Sequence, residues 1–257
     1  QPAKVYLRTN TLKITREKLK EEFAKEDIQT EFVPDFDDCL VLPERKNVFT
    51  TQCFKKGYFE VQDASSQLIA PLLGVQPGQR VVDACAGAGG KTLHMAAMMK
   101  NKGKIIAMDI HEWKLAELKK RAARDGVDII ETKVIESTKT FKRLEANFDR
   151  VLLDVPCSGL GVLRRNPDTK WKLSQDEIVR LIDLQKSILT DYSRMCKPNG
   201  FMVYATCSIL NSENEDQVKW FLGTEAGQNW NLVKEIRMWP HKEGHDGFYG
   251  ALLQRKP

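Results

Sequence analysis

From about residue 80 to residue 208 the chain alternates short apolar runs with helix-like stretches. That alternation restricts the fold more than any other feature of its 257 residues. The apolar runs are RVVDAC (80–85), KIIAMDI (104–110), VDIIETKV (127–134), FDRVLLDVP (148–156) and GFMVYATCS (200–208). Helical patterns fill the gaps around 91–101, 112–125 and 174–196. Strands apolar on both faces need cover on both, so the pattern predicts an α/β fold with a mainly parallel sheet between helices. Just upstream, QDASSQLIAPLLG (62–74) reads as an amphipathic helix stopped at Gly74, with VQPGQ as the turn after it.

Residues 1–57 read differently, as a small α+β unit ahead of a catalytic domain over 58–257. A strand-like VYLRTN precedes a charged helix around TREKLKEEFAKED, with Thr15 as its N-cap. Strand-like pieces follow at TEFVPDF and CLVLPE. The helix mixes Lys and Glu almost evenly, which reads as a solvated face. A net charge of +5 is compatible with a polyanionic partner without requiring one. No apolar run reaches the ~18–20 residues that span a bilayer. The start, Gln1-Pro2-Ala3-Lys4, has neither an initiator Met nor a signal region, so the chain reads as trimmed. The six cysteines include no C-x-x-C pair and no zinc spacing, which favours free thiols in a reducing cytoplasm. His241 and His245 lack partner ligands and read as loop residues, so no metal is expected; a monomer is.

In such sheets ligands bind beyond the carboxyl ends of the strands. Asp83, Asp109, Asp154 and Cys207 all fall at or near such ends. The first strand runs into Asp83-Ala84-Cys85-Ala86-Gly87-Ala88-Gly89-Gly90-Lys91-Thr92, whose small residues permit a tight turn and close approach to a ligand. A Walker A loop fails because Cys85 stands where its first Gly belongs, and a dinucleotide fingerprint fails at Thr92. What remains, an acid followed by a G-x-G turn, resembles the first motif of S-adenosylmethionine-dependent methyltransferases. Asp109, twenty positions beyond Gly89, can accept from both hydroxyls of a ribose.

Two cysteines sit at neighbouring strand ends, in Asp154-Val155-Pro156-Cys157-Ser158-Gly159 and in Ala205-Thr206-Cys207-Ser208. A chemistry that needs such a pair exists. C5 of cytosine is too electron-poor to attack a methyl sulfonium. A thiolate adding to C6 makes C5 nucleophilic; a base then removes the C5 proton and the thiol is eliminated. A carboxyl group near N3 and the exocyclic amine stabilises the adduct. This reasoning explains why a cysteine is needed, and leaves open which of the two attacks.

DACAGAGGKT, LLDVPCSGLGVLRRNPD and YATCSILNSENE together resemble the motifs of the Sun (Fmu, RsmB-like) family of RNA cytosine-C5 methyltransferases. The likeness extends to FEVQDASSQL, to GHDGFYGALLQRK, and to VYLRTNTLKITREKLKEEF, which resembles the small RNA-binding unit ahead of that family's Rossmann-like domain. The resemblance implies that Cys207, in the TCS motif, is the nucleophile, that Cys157 assists product release, and that Asp154 contacts the cytosine close to the methyl donor. Cys85, Ala86, Gly87, Ala88, Gly89, Gly90 and Lys91 would wrap S-adenosylmethionine, with Asp109 on its ribose and Lys91 in a positional role. By analogy with DNA cytosine methyltransferases Cys157 would attack instead. There are two departures: Gly87-Ala88 replaces the family's Ala-Pro, and the acid near the adenine falls to Glu136. Arg164, Arg165, Asn166, Lys170 and Trp171 combine cations with an aromatic ring and suit phosphate contact and base stacking on an unstacked RNA residue. The resemblance points to ribosomal RNA, with transfer RNA and a non-catalytic ribosome-assembly factor as the alternatives.

Overall fold

The computed structural model describes residues 3–137 and 139–257. In chain order the strands are β1 (Val5–Thr9), β2 (Glu31–Phe32), β3 (Cys39–Leu42), β4 (Phe59–Val61), β5 (Arg80–Asp83) and β6 (Lys104–Asp109). β7 (Ile130–Val134), β8 (Phe148–Asp154), β9 (Cys196–Thr206), β10 (Trp230–Met238) and β11 (Phe248–Arg255) complete them. Seven strands form one sheet in the order β10-β11-β9-β8-β5-β6-β7. The five strands from β9 to β7 are parallel, while β11 and β10 return antiparallel. These five are the apolar runs of the sequence, and in all but the edge strand β7 alternate residues feed two separate cores. Val82, Ile106, Val151, Leu153 and Tyr204 pack on one face, with Ile188 and Leu189 of the helix Gln175–Tyr192. Val81, Ile105, Leu152 and Val203 pack on the other, with Leu93 of the helix Gly90–Met98 and Leu118 of the helix Glu112–Asp125.

Three features depart from the sequence reading. The expected helix over 62–74 is two short ones, Ala64–Gln67 and Ile69–Leu73. Pro71 has no N–H to offer the Gln67 carbonyl and its ring crowds that group, so the helix breaks at Leu68. Gly74 ends the second piece in the left-handed conformation, φ +62°, as expected. β10 was not foreseen at all. It is an edge strand with a register shift between Leu232 and Lys234, and Leu232 and Val233 are both exposed, which erases the alternation that marks a strand. Finally, the small sheet, ordered β2-β3-β1-β4, takes its fourth strand from Phe59–Val61.

The helix Arg16–Ala24 covers the small sheet with Leu19 and Phe23, and the Thr15 hydroxyl accepts from the Lys18 N–H as an N-cap. This unit is pinned to the larger one by polar groups. Glu60 of β4 accepts from Arg121 (2.6 Å) and from Arg124, and Asn10 donates to the Asp125 carbonyl at 2.9 Å. Arg8 of β1, 2% exposed, reaches across to donate to the Gly90 carbonyl at 2.5 Å.

In the large sheet the chain lays down β5, β6 and β7 in one direction and then crosses back to β8 and β9. The order therefore reverses between β5 and β8, where open α/β sheets have their ligand crevice. Asp83 and Asp154 end those two strands. Among the described residues, no helix is long and apolar enough to cross a membrane.

Candidate active site

The turn between β5 and the helix Gly90–Met98 lines a cavity of about 260 Å³, together with Gln62, Ser66 and Asp154. Two glycines explain how the backbone makes that turn. Gly89 has φ +87°, and a Cβ there would lie 2.0 Å from Leu118 Cδ1. Gly87 also has positive φ, and its N–H donates to Asp109 Oδ2 at 2.9 Å. The other Asp109 oxygen accepts from the His111 N–H at 2.8 Å, so Asp109 braces the loop from the end of β6. Asp83 is 1% exposed. Its Oδ2 accepts from the Thr92 hydroxyl at 2.7 Å, while Oδ1 has no hydrogen-bond partner among the described residues. Burial pushes its carboxyl up to about 7. An orphaned buried acceptor in a glycine-walled cavity suits a ligand bearing a cationic donor. The α-ammonium of S-adenosylmethionine fits it.

The thiol pair lies within the field of Asp154 and Lys91. Cys157 Sγ and Cys207 Sγ are 3.4 Å apart, and Lys91 Nζ contacts Asp154 Oδ2 at 2.5 Å. The Cys157 loop is held against Cys207 by its backbone. The Gly161 N–H donates to the Cys207 carbonyl at 2.9 Å, and a Cβ on Gly161 would lie 2.2 Å from the Gly247 carbonyl oxygen. The two thiols are inequivalent. The hydrogen bond with Cys157 draws Cys207 below the usual thiol range, against burial and the Asp154 charge, with the Lys91 charge helping. The same hydrogen bond raises Cys157, and burial adds to it. The bias within the pair is thus toward Cys207 as thiolate, with the shared proton favoured on Cys157. The remaining cysteines divide differently. Cys39, Cys53 and Cys196 are core groups that burial pushes up to about 12, whereas Cys85 lines the cavity.

The other residues singled out in the sequence are scattered by comparison. Glu136 is exposed, two residues past the end of β7 and outside the cavity wall. Arg164, Asn166, Lys170 and Trp171 are exposed, Trp171 at 82%, with the Lys170 ammonium 5.2 Å from its ring centroid. Arg165 is engaged inside the protein. It donates to Asp63 at 2.7 Å and to Asp246; Arg164, though exposed, donates to the Gly244 carbonyl at 2.9 Å and to that of His245, and Lys170 is the exposed cation beside Trp171. His245 packs edge-on against Tyr6 of the small sheet and hydrogen-bonds its hydroxyl at 2.9 Å.

Sequence reasoning missed two site groups. Phe248 begins β11 with its ring centroid 4.8 Å from Lys91 Nζ. Glu213 lies in the 3-10 turn Asn211–Glu213, fully buried beneath the thiol pair's loops. It falls within a polar run that carries no periodicity, and only the folded turn brings it under the strand ends.

Comparison with known proteins gives a consistent set of relatives. The family described as 16S rRNA methyltransferase RsmB/F matches residues 70–254. Ribosomal RNA small subunit methyltransferase B of Pectobacterium carotovorum is 37% identical over 97% of this chain and 59% of its own length. The chain spans about three fifths of the length of the curated relatives it matches. The crystal structure of PH0851 superposes with a TM-score of 0.93 at 33% identity, over 99% of this chain and 60% of that one. A methyltransferase homolog protein from Pyrococcus horikoshii superposes with a TM-score of 0.87 at 28% identity, over 99% of this chain and 87% of that one.

Proposed function

Because the chain belongs to the RsmB/F family of 16S rRNA methyltransferases, we propose that it transfers a methyl group from S-adenosylmethionine to C5 of a cytosine in ribosomal RNA. The observation that carries this reading is the pair of thiols 3.4 Å apart, with Cys207 in the field of Lys91 and Asp154, which also line the glycine-walled cavity.

S-adenosylmethionine, when bound, supplies an electrophilic methyl group. Cys85 to Lys91 would wrap it, Asp83 would face its ammonium, and Asp109 would hold its ribose hydroxyls. Cys207 attacks as the thiolate: its sulfur bonds to C6 and the ring's electron density shifts onto C5. Asp154 accepts from the exocyclic amine and shares a proton with N3, and Lys91 holds Asp154 in place at 2.5 Å. After C5 has gained its methyl group, a base takes the C5 proton, the C5–H electron pair re-forms the C5–C6 double bond, and the C6–S bond breaks to return Cys207 as the thiolate. Cys157 assists that release. Lys170 and Trp171, with Arg164 and Asn166, receive the RNA strand that presents an unstacked base, and the small unit built around residues 1–57 adds a second RNA surface. The relatives' names favour ribosomal over transfer RNA. The enzyme acts as a cytoplasmic monomer.

Substituting Cys207→Ser abolishes methyl transfer on this reading, and Cys157→Ser accumulates a covalent protein–RNA adduct that survives denaturation. Full activity of the Cys207 variant, or an adduct that appears only when Cys207 is lost, overturns the assignment. Mapping 5-methylcytosine in ribosomal RNA with and without the gene identifies the target.

A further inference from the structure

We propose that Glu213 is a positioning residue: its carboxylate ties together the two loops that carry Cys157 and Cys207, and so sets the spacing of the thiol pair. The inference rests on reading those two cysteines as the reacting pair. Glu213 is fully buried, yet among the described residues its side-chain oxygens meet only neutral donors. Oε1 accepts from the Ser158 N–H at 2.8 Å and from Gln185 Nε2 at 3.0 Å. Oε2 accepts from the Ser158 and Ser208 hydroxyls, each at 2.5 Å. The two serines are the residues directly after the two cysteines.

The proton count supports a fixed arrangement. Each hydroxyl has one proton, and both protons point at Oε2. Each hydroxyl oxygen then accepts from an N–H two residues on, that of Leu160 at 3.4 Å and that of Leu210 at 3.1 Å. The 3.1 Å between Ser158 Oγ and Ser208 Oγ is therefore a contact enforced by a shared acceptor. Glu213 is itself anchored, since its carbonyl accepts from the Tyr204 hydroxyl of β9 at 2.6 Å. Gln185 brings the helix Gln175–Tyr192 into the same knot and also donates to the Pro156 carbonyl at 3.0 Å. Loops after β8 and β9 are joined in this way immediately behind their cysteines. The cluster has an electrostatic consequence too. Cys157 is raised first by its hydrogen bond to Cys207 and by burial, and the Glu213 charge acts in the same direction. The clamp thus favours keeping the shared proton on Cys157.

The test compares Glu213→Gln and Glu213→Asp with the parent, using three readouts. The variants should lower kcat about ten- to a hundredfold, since displacement of a reacting group by about 1 Å costs that much. KM for S-adenosylmethionine should stay within about twofold, because the cavity wall excludes Glu213. The third readout is spacing itself: diamide oxidises the two thiols to a disulfide, taking both protons and both electrons onto its N=N bond, and the rate should fall in the variants. Parental kcat together with a parental cross-linking rate overturns the proposal. If the Glu213 variants do not fold, Ser158→Ala and Ser208→Ala remove one arm each; native melting with unchanged kcat in both overturns it as well. Cys207→Ser, run alongside, separates the two ideas. If it remains active, the thiol reading fails; if it is dead while the Glu213 variants are fully active, only the clamp fails.

Discussion

Asp83 and Glu213 are both buried carboxyl groups near the carboxyl edge of the same sheet, at 1% and 0% exposure, and they are built in opposite ways. Asp83 has one oxygen on Thr92 and the other, among the described residues, unpartnered at a cavity. Glu213 has both oxygens filled, by donors from three different segments. A buried polar atom left without a partner costs free energy in the empty protein and returns it when a ligand supplies the partner. A buried polar atom with all its partners stiffens what surrounds it. The contrast separates a group kept open for binding from one closed for geometry, although residue type and burial are nearly the same.

The largest effects should come from removing each carboxyl. Glu213→Ala strands several buried donors at once and should lower unfolding stability by on the order of 3–5 kcal/mol, read by urea denaturation. Asp83→Asn should move stability the other way at alkaline pH. The folded carboxyl titrates near 7, above its unfolded value, so the native state holds the extra proton between about pH 4 and 7. Stability is therefore lost as pH rises through that window. Asparagine removes the loss, giving a gain on the order of 4 kcal/mol at pH 8 and little change at pH 4. A destabilised Asp83→Asn at pH 8 would erase the distinction between the two sites.

Sequence made much of this legible, and the reasons for the rest are physical. The central parallel strands announced themselves because burial on both faces demands unbroken apolar runs, as in Ile105-Ile106-Ala107-Met108, whereas β7, at the sheet edge, is only partly buried. β10 did not, since an edge strand with a register shift need not alternate. Cys157, Cys207, Lys91 and Asp154 were all named, and the fold brings them together. Glu213 went unnamed because its partners are 28, 55 and 5 residues away. Arg164 and Arg165 are indistinguishable in sequence. They diverge because Asp63, 102 residues distant, and Asp246 capture only the second.

A mid-sized effect tests whether Asp83 is open for a cation. An ammonium against Oδ1 favours the ionised carboxyl, so binding below pH 7 expels a proton. The dissociation constant of S-adenosylmethionine should fall roughly tenfold from pH 5.5 to 7, below the range where the ligand's own amine titrates. Calorimetry in two buffers of different ionisation enthalpy reads the released proton directly. Asp83→Asn should bind more weakly with a flat profile over the same range. An equal slope in the variant would remove Asp83 from the cofactor's ammonium and leave its orphaned oxygen without a role.

The same distinction between engaged and open groups predicts the smallest effect, in the cationic loop. Lys170 is exposed beside the ring of Trp171, whereas Arg165 is held by two carboxylates. A cation that contacts phosphate releases counterions on binding, so its loss flattens the salt dependence of affinity. Lys170→Ala should weaken binding of a ribosomal RNA fragment a few-fold and reduce the log–log salt slope by about 1. Arg165→Gln should leave that slope unchanged while lowering the melting temperature, because it strips Asp63 and Asp246 of their partner. Were the two variants to exchange behaviours, Arg165 would have to leave its carboxylates when RNA binds, and the closed half of the comparison would be closed only in the free protein.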